Sequence, residues 1–217
     1  MRKFNSMTIF HLDFDKTIIR GDSIVVLEKY MNRDKNDHHS FWRKTEFDEL
    51  NPSYFSVMKK MELLSELNAL ENEKVQEIYS IICKDENTKL ILETFNKLKE
   101  LKNEYENFIV LISTNSFETL VKFILDKNKF EYDHLIAGSI VRDGKEILRE
   151  NSGVLKLYRL KDFLKTKRYL EVNIVAFSDH ISDLPILLDS SKSYHVKRKG
   201  SFDDWSDRYN FNTIYWT

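Results

Sequence analysis

Two prolines and five glycines are all that punctuate these 217 residues. With so few breakers, element boundaries must be read from changes of hydrophobic period rather than from composition. The single cysteine, Cys83, excludes an internal disulfide and fits a reducing compartment, so a cytoplasmic location is expected. Its neighbours in "IYSIICKDE" are apolar, which marks a buried, inert thiol rather than a nucleophile. Neither sign of charge is in excess, with 34 basic residues against 35 acidic ones. That balance removes the electrostatic reason to expect nucleic acid or a membrane surface as partner. No apolar run reaches the length of a membrane span. The first run, from Met7, meets Asp13 too soon to be a signal-peptide core. What is present is 41% hydrophobic residues in a chain of 217. That is enough to bury roughly 70% of the unfolded surface without staples, in one generous domain or one carrying an insert.

Three short apolar runs read as buried parallel strands: "MTIFHLD" (7–13), "FIVLIS" (108–113) and "VNIVAFSD" (172–179). Each ends in a polar residue. Between the first two, the chain has helical periodicity almost throughout, with Asp22 as N-cap of "SIVVLEKYM" and Asn51 before a first-turn Pro52. "SFETLVKFILDKN" reads as a helix, "HLIAGSIVRDGKEIL" as strand, Asp143-Gly144 turn and strand, and "SGVLKLYRLKDFL" as a helix capped by Ser152. The tail "FDDWSDRYNFNTIYW" supplies a last strand. This order predicts an α/β chain, a doubly wound Rossmann-like parallel sheet with an inserted α-helical cap. Residues 22–85 are too long for a loop. They are expected to form the cap over a core of residues 1–21 and 86–217.

Ligands of such sheets bind beyond the carboxyl ends of the strands. There this sequence places Asp13 and Asp15, Ser113, and Asp179 with Asp183. Acids two residues apart on a strand face the same way and resist ionising together. A divalent cation relieves that repulsion, and Mg²⁺ suits a few carboxylate oxygens plus a phosphate. Lys156, near the start of its helix, is chosen over Lys161, Lys165 and Lys167 as the partner of a phosphoryl group. Ser113 offers a hydroxyl. Each residue alone has a plainer use: Asp13 and Asp15 as a strand-end turn and helix cap, Lys156 as a solvated lysine, Asp183 as the cap of a helix begun by Pro185. His38-His39 lacks a cysteine or acid pair at ligand spacing and reads as a solvated loop. His180 stands beside Asp179 either as a tuning group or as a spacer.

Together these residues resemble the haloacid-dehalogenase-like (HAD) phosphatases. "DFDKT" is similar to their first motif, Asp-x-Asp-x-Thr, and "VLIS" ending at Ser113 to the second. Lys156 resembles the third and "SDHISD" the acidic fourth, in order over about residues 7–190. The helical insert and "TIIRGDS" further resemble the phosphoserine-phosphatase-like branch. The resemblance implies a Mg²⁺-dependent phosphomonoesterase acting on a small soluble metabolite. Asp13 would be the nucleophile that forms an aspartyl-phosphate. Asp15 would be the acid that protonates the leaving alcohol and then activates water. Asp13, Asp15 (through its backbone carbonyl), Asp179 and Asp183 would hold Mg²⁺, and Ser113, Thr114 and Lys156 would contact the phosphate. Thr17 would support the turn. In the cap, Asp22 falls where an acid would meet the substrate's amine, and Lys60 approximately where an arginine would meet its carboxylate.

Two departures stand out: Ser178 precedes Asp179 where glycine is usual, and "STNSF" lacks the glycines of phosphoserine phosphatases. Both add side chains beside the phosphate and so bear on the substrate more than on the reaction. A phosphotransferase to an alcohol acceptor and a HAD-fold binding or regulatory protein without turnover are the alternatives. A mere binder has no need of both Asp13 and Asp15.

Overall fold

The computed structural model describes residues 6–31, 52–167, 169, 171–202 and 205–217. His38, His39 and Asn51 lie outside them. Six strands form one sheet: β1 (Met7–Leu12), β2 (Phe108–Ser113), β3 (His134–Ile136), β6 (Val172–Ser178), β7 (Lys192–Arg198) and β8 (Asn212–Trp216). Their order is β3-β2-β1-β6-β7-β8 and every pairing is parallel. A separate antiparallel hairpin joins β4 (Ser139–Arg142) to β5 (Lys145–Leu148). Leaving the hairpin aside, the chain runs outward from β1 to one edge and then outward from β6 to the other. The direction reverses between β1 and β6, and that is where such sheets bind ligands.

Strands β1, β2 and β6 are largely apolar on both sides, as suits strands of a sheet covered on both faces. Alternate residues feed two cores. Phe10 and Leu12 pack with Val110, Ile112, Val175 and Phe177, residues that the register sets beside them. Ile9 packs with Leu111, Ile174 and Ala176 on the other face, against Leu160 and Leu187. Between β1 and β2 run α1 (Ser23–Met31), α2 (Pro52–Ala69), α3 (Asn72–Ile82), a 3-10 turn at Glu86–Thr88 and α4 (Leu92–Lys102). Then come α5 (Glu118–Lys127), α6 (Val154–Lys167) and α7 (Leu184–Asp189). No helix among the described residues is long and apolar enough to cross a membrane.

Asp22 is the N-cap expected of it, since its Oδ1 accepts the N–H groups of Ile24 at 3.0 Å and Val25 at 3.1 Å. Ser152 does not cap α6 through its side chain, which donates to Glu150 Oε1 at 2.8 Å instead. The segment read as a single hairpin divides at Ala137-Gly138. His134–Ile136 extends the main sheet, and only the remainder turns back, through Asp143 and Gly144, both at positive φ. At this break only glycine fits at position 138, because a Cβ there would lie 2.3 Å from the carbonyl oxygen of Asn115. Strand β7, "KSYHVKR", was not legible as a strand. Two of its polar residues, Ser193 and His195, are buried, with Ser193 Oγ donating to the Leu187 carbonyl and His195 Nδ1 bonded to Ser206 Oγ at 2.7 Å.

Candidate active site

Asp13 follows β1 and Asp179 follows β6, so the two adjacent strands deliver an acid each to the point where the sheet reverses. The Asp13 N–H donates to the Phe177 carbonyl at 3.0 Å, which extends the ladder one residue past the strand. The chain then folds tightly. The Phe14 carbonyl accepts from the N–H groups of Thr17, Ile18 and Ile19, while Lys16 takes a positive φ of 54°. This turn brings Asp15 back beside Asp13 at the rim. Thr17 is fully buried within the turn and is not among the cavity-lining residues, in line with a supporting role.

Both acids open on a cavity of about 550 Å³. From the core its walls include Thr114, Ser116, Lys156 and Asp179; from the helical insert they include Asp22 and Lys60. Lys156 Nζ donates to Asp13 Oδ1 and to Asp183 Oδ2, each at 2.7 Å. Burial opposes the ammonium charge, yet the two carboxylates hold Lys156 above its ordinary range. Burial likewise pushes Asp13 up, with Lys156 pulling the other way. Asp183 is nearly inaccessible, and its Oδ2 also accepts from Ser178 Oγ at 2.8 Å. The serine in place of glycine before Asp179 therefore serves the ion pair under the site. His11, in the strand below, is neutral at physiological pH, because burial and then the Lys156 charge lower it to about 4.

Asp15 is held by two donors: the Ser23 N–H to Oδ1 at 2.7 Å and the Ser116 hydroxyl to Oδ2 at 3.0 Å. Its pKa is pushed up to about 7, chiefly by burial and next by the charge of Asp22. Asp179 is pushed up to about 8 by burial, by the charge of Asp13 and by a hydrogen bond to it. Two acids sharing a proton in this way are suited to a divalent ion in the proton's place. Mg²⁺ characteristically takes one or two carboxylates and fills its shell with water and phosphate oxygens. Among the described residues no three His, Cys, Asp or Glu side chains converge on a metal position. Asp183 Oδ2 is taken by Lys156 and Ser178 while its buried Oδ1 has no hydrogen-bond partner, and Asp13 and Asp179 form a carboxylate pair that would suit such an ion.

Ser113 is not among the cavity-lining residues. Its side chain is fully buried, and its Oγ accepts from Asn151 Nδ2 at 3.1 Å, while the next residue, Thr114, lines the cavity. Successive residues of an extended chain face opposite ways, and the strand ends one position before the wall begins. Asp22 and Lys60 do meet at the cavity. Lys60 is buried, its Nζ donates to the Asn115 carbonyl at 3.1 Å, and burial lowers its pKa against the pull of Glu150, Asp15 and Asp22. His180 lines the wall and its Nδ1 accepts the Ser182 N–H at 3.1 Å. Sequence reading missed Ser23 as a donor to Asp15 and Asn151 as the partner of Ser113. A lone serine or asparagine carries no signal of its own until the fold supplies a neighbour.

A family model of the haloacid dehalogenase-like hydrolases matches residues 10–188. The chain belongs to this family. The match spans β1 through α7 and includes every acid described above. No curated protein matches the chain by sequence. Among solved structures, a protein of unknown function from Bordetella pertussis Tohama I superposes with a TM-score of 0.73 at 15% identity, over 97% of this chain and 99% of that one. The HAD family hydrolase t0658 from Salmonella enterica serovar Typhi gives 0.60 at 14% identity, over 99% of this chain and 69% of that one. A phosphoserine phosphatase solved as a phospho-aspartyl intermediate analogue gives 0.54 at 20% identity, over 88% and 87%. At such identities the likeness is one of fold, and it places the chain in the architecture that phosphoserine phosphatases share.

Proposed function

We propose that this HAD hydrolase is a Mg²⁺-dependent phosphomonoesterase of small phosphorylated metabolites that works through an aspartyl-phosphate. The observation that carries the reading is the pairing of two differently held acids on one cavity. Asp13, ion-paired to Lys156, is the nucleophile. Asp15, fixed by Ser23 and Ser116 with a carboxyl near 7, is the acid and base. One acid is kept for bond formation and the other for proton transfer, a division that environment imposes on chemically identical groups. The phosphoserine phosphatase with the same fold is itself described as a phospho-aspartyl intermediate analogue.

In this reading, Asp13 Oδ attacks phosphorus while Asp15 gives its proton to the leaving alkoxide. Asp15 then takes a proton from the water that cleaves the acyl phosphate. Lys156 and Thr114 hold phosphoryl oxygens. Asp13, Asp179 and the Asp15 carbonyl would hold Mg²⁺, which would supply charge neutralisation there. The helical segment 22–85 is proposed as the cap, whose Asp22 and Lys60 face the leaving group. A lysine cannot reproduce arginine's two-pronged grip on a carboxylate, so phosphoserine should be a mediocre substrate. Asp22→Ala and Lys60→Ala should reorder a substrate panel more than they slow an activated aryl phosphate, whose leaving group needs no proton from Asp15.

The direct test is turnover of phosphorylated metabolites with Mg²⁺ and with excess chelator. Asp13→Asn should abolish both turnover and covalent ³²P-labelling. Asp15→Asn should slow poor leaving groups by about 10²–10⁴-fold. Full activity in chelator, or labelling that survives Asp13→Asn, would remove the reading.

A further inference from the structure

We infer that Ser116 and Ser23 are positioning residues for Asp15, so that proton delivery depends on the helical insert being seated on the core. This rests on Asp15 being the general acid. Ser116 comes from the core, just past β2, while Ser23 opens α1 in the insert. Their hydroxyls are in direct hydrogen-bond contact, and both residues are buried from solvent.

Counting protons sets the direction of the chain. A hydroxyl has one hydrogen to donate. Ser116 spends its own on Asp15 Oδ2, so in its contact with Ser23 it accepts, and the Ser23 hydroxyl donates. Ser23 also sends its backbone N–H to the other oxygen, Oδ1. Asp15 thus receives one donor from each side of the cleft, and the two together fix the plane of its carboxyl. One lone pair on each oxygen is left for the cavity that Asp15 lines. Asp22 fixes the start of α1 by accepting the N–H groups of Ile24 and Val25, which holds the Ser23 N–H in place. If α1 departs, Asp15 loses the Ser23 N–H and Ser116 loses the hydroxyl that orients it.

The test compares aryl phosphates whose leaving-group pKa rises from 2,4-dinitrophenol to phenol, assayed with Mg²⁺. Ser116→Ala should lower kcat/KM for phenyl phosphate about ten- to hundredfold more than for the dinitrophenyl ester, because a misplaced acid matters only where a proton is needed. In an Asp15→Asn background that extra loss should vanish, whereas a merely structural defect would persist. Ser116→Thr, which keeps the hydroxyl, should restore the shallow dependence. If Ser116→Ala does not fold, Ser23→Ala carries the same comparison, since it keeps the N–H donor and removes only the hydroxyl chain. Equal losses along the series, with Asp15→Asn still steep, would overturn the positioning role alone. A flat series for Asp15→Asn would instead overturn the acid beneath it.

Discussion

Lys156 Nζ sits 2.7 Å from Asp13 Oδ1 and 2.7 Å from Asp183 Oδ2, a buried cation shared between residues 143 and 27 positions away. Its side chain and that of Asp183 are almost wholly inaccessible. Without it, two buried carboxylates would be left with no compensating charge between them. Lys156→Ala is therefore expected to lose about 3–5 kcal/mol of stability, the usual effect of breaking a buried pair from one side. Urea unfolding in chelator would measure it. Adding Asp183→Asn should recover part of the loss, because one of the uncompensated charges is gone.

A second expectation concerns the ion and needs no substrate. Asp13 and Asp179 converge at the reversal of the sheet, where burial and then the Asp13 charge push the Asp179 carboxyl up. Mg²⁺ at about a hundred times its Kd should stabilise the folded chain by about 2.7 kcal/mol. For a domain of this size that is roughly 5–10 °C in Tm. Differential scanning calorimetry with and without Mg²⁺ reads it directly. Asp179→Asn should abolish the rise, and an undiminished rise in that variant would move the ion elsewhere.

Gly138 has no room for a side chain, since an added Cβ would meet the Asn115 carbonyl oxygen at 2.3 Å and its carbon at 2.5 Å. Backbone cannot swing aside as a flexible side chain can. Gly138→Ala should therefore destabilise the fold by about 1–3 kcal/mol, as overpacking does. It should also displace Asn115, whose carbonyl receives Lys60 and whose side chain donates to Glu150 Oε1 at 2.6 Å. The expected result is a lower Tm together with impaired turnover.

Asp85 sets the pH response at the foot of the insert. It accepts from Lys29 Nζ at 2.7 Å, the Tyr30 hydroxyl at 2.9 Å and the Asn87 N–H at 3.0 Å. Burial pushes its carboxyl up, but these donors outweigh it and hold the group well below the usual carboxylate range. An unfolded Asp titrates near ~3.9, so on acidification the unfolded chain takes up this proton first. Stability from Asp85 is therefore complete above about pH 5 and drains away as the pH falls below it. Urea midpoints between pH 3 and 6 should fall in the parent chain, and Asp85→Asn should flatten that slope.

The main strands and the order of motifs were legible because burial on both faces of a parallel sheet demands uninterrupted apolar runs. "MTIFHL", "FIVLIS" and "VNIVAFS" could satisfy nothing else. Asp13, Asp15 and Asp179 were legible for a related reason, since such strands end at the edge where charge can reach a ligand. Strand β7 was hidden because Ser193 and His195 look solvent-facing until Leu187 and Ser206 arrive to bond them.

By itself the sequence determined the α/β core and the acids at its edge, because hydrophobic period and charge are local properties of the chain. Tertiary structure alone decided what surrounds each of those acids. It turned Ser113 down to Asn151 and left Thr114 at the wall, committed Asp183 to Lys156, and paired Asp13 with Asp179. It also brought Ser23, 93 residues away, against Ser116 to hold Asp15. The state of a carboxylate depends on which donors and charges lie within a few ångströms of it, and in a sheet wound outward in both directions those neighbours come from distant parts of the chain.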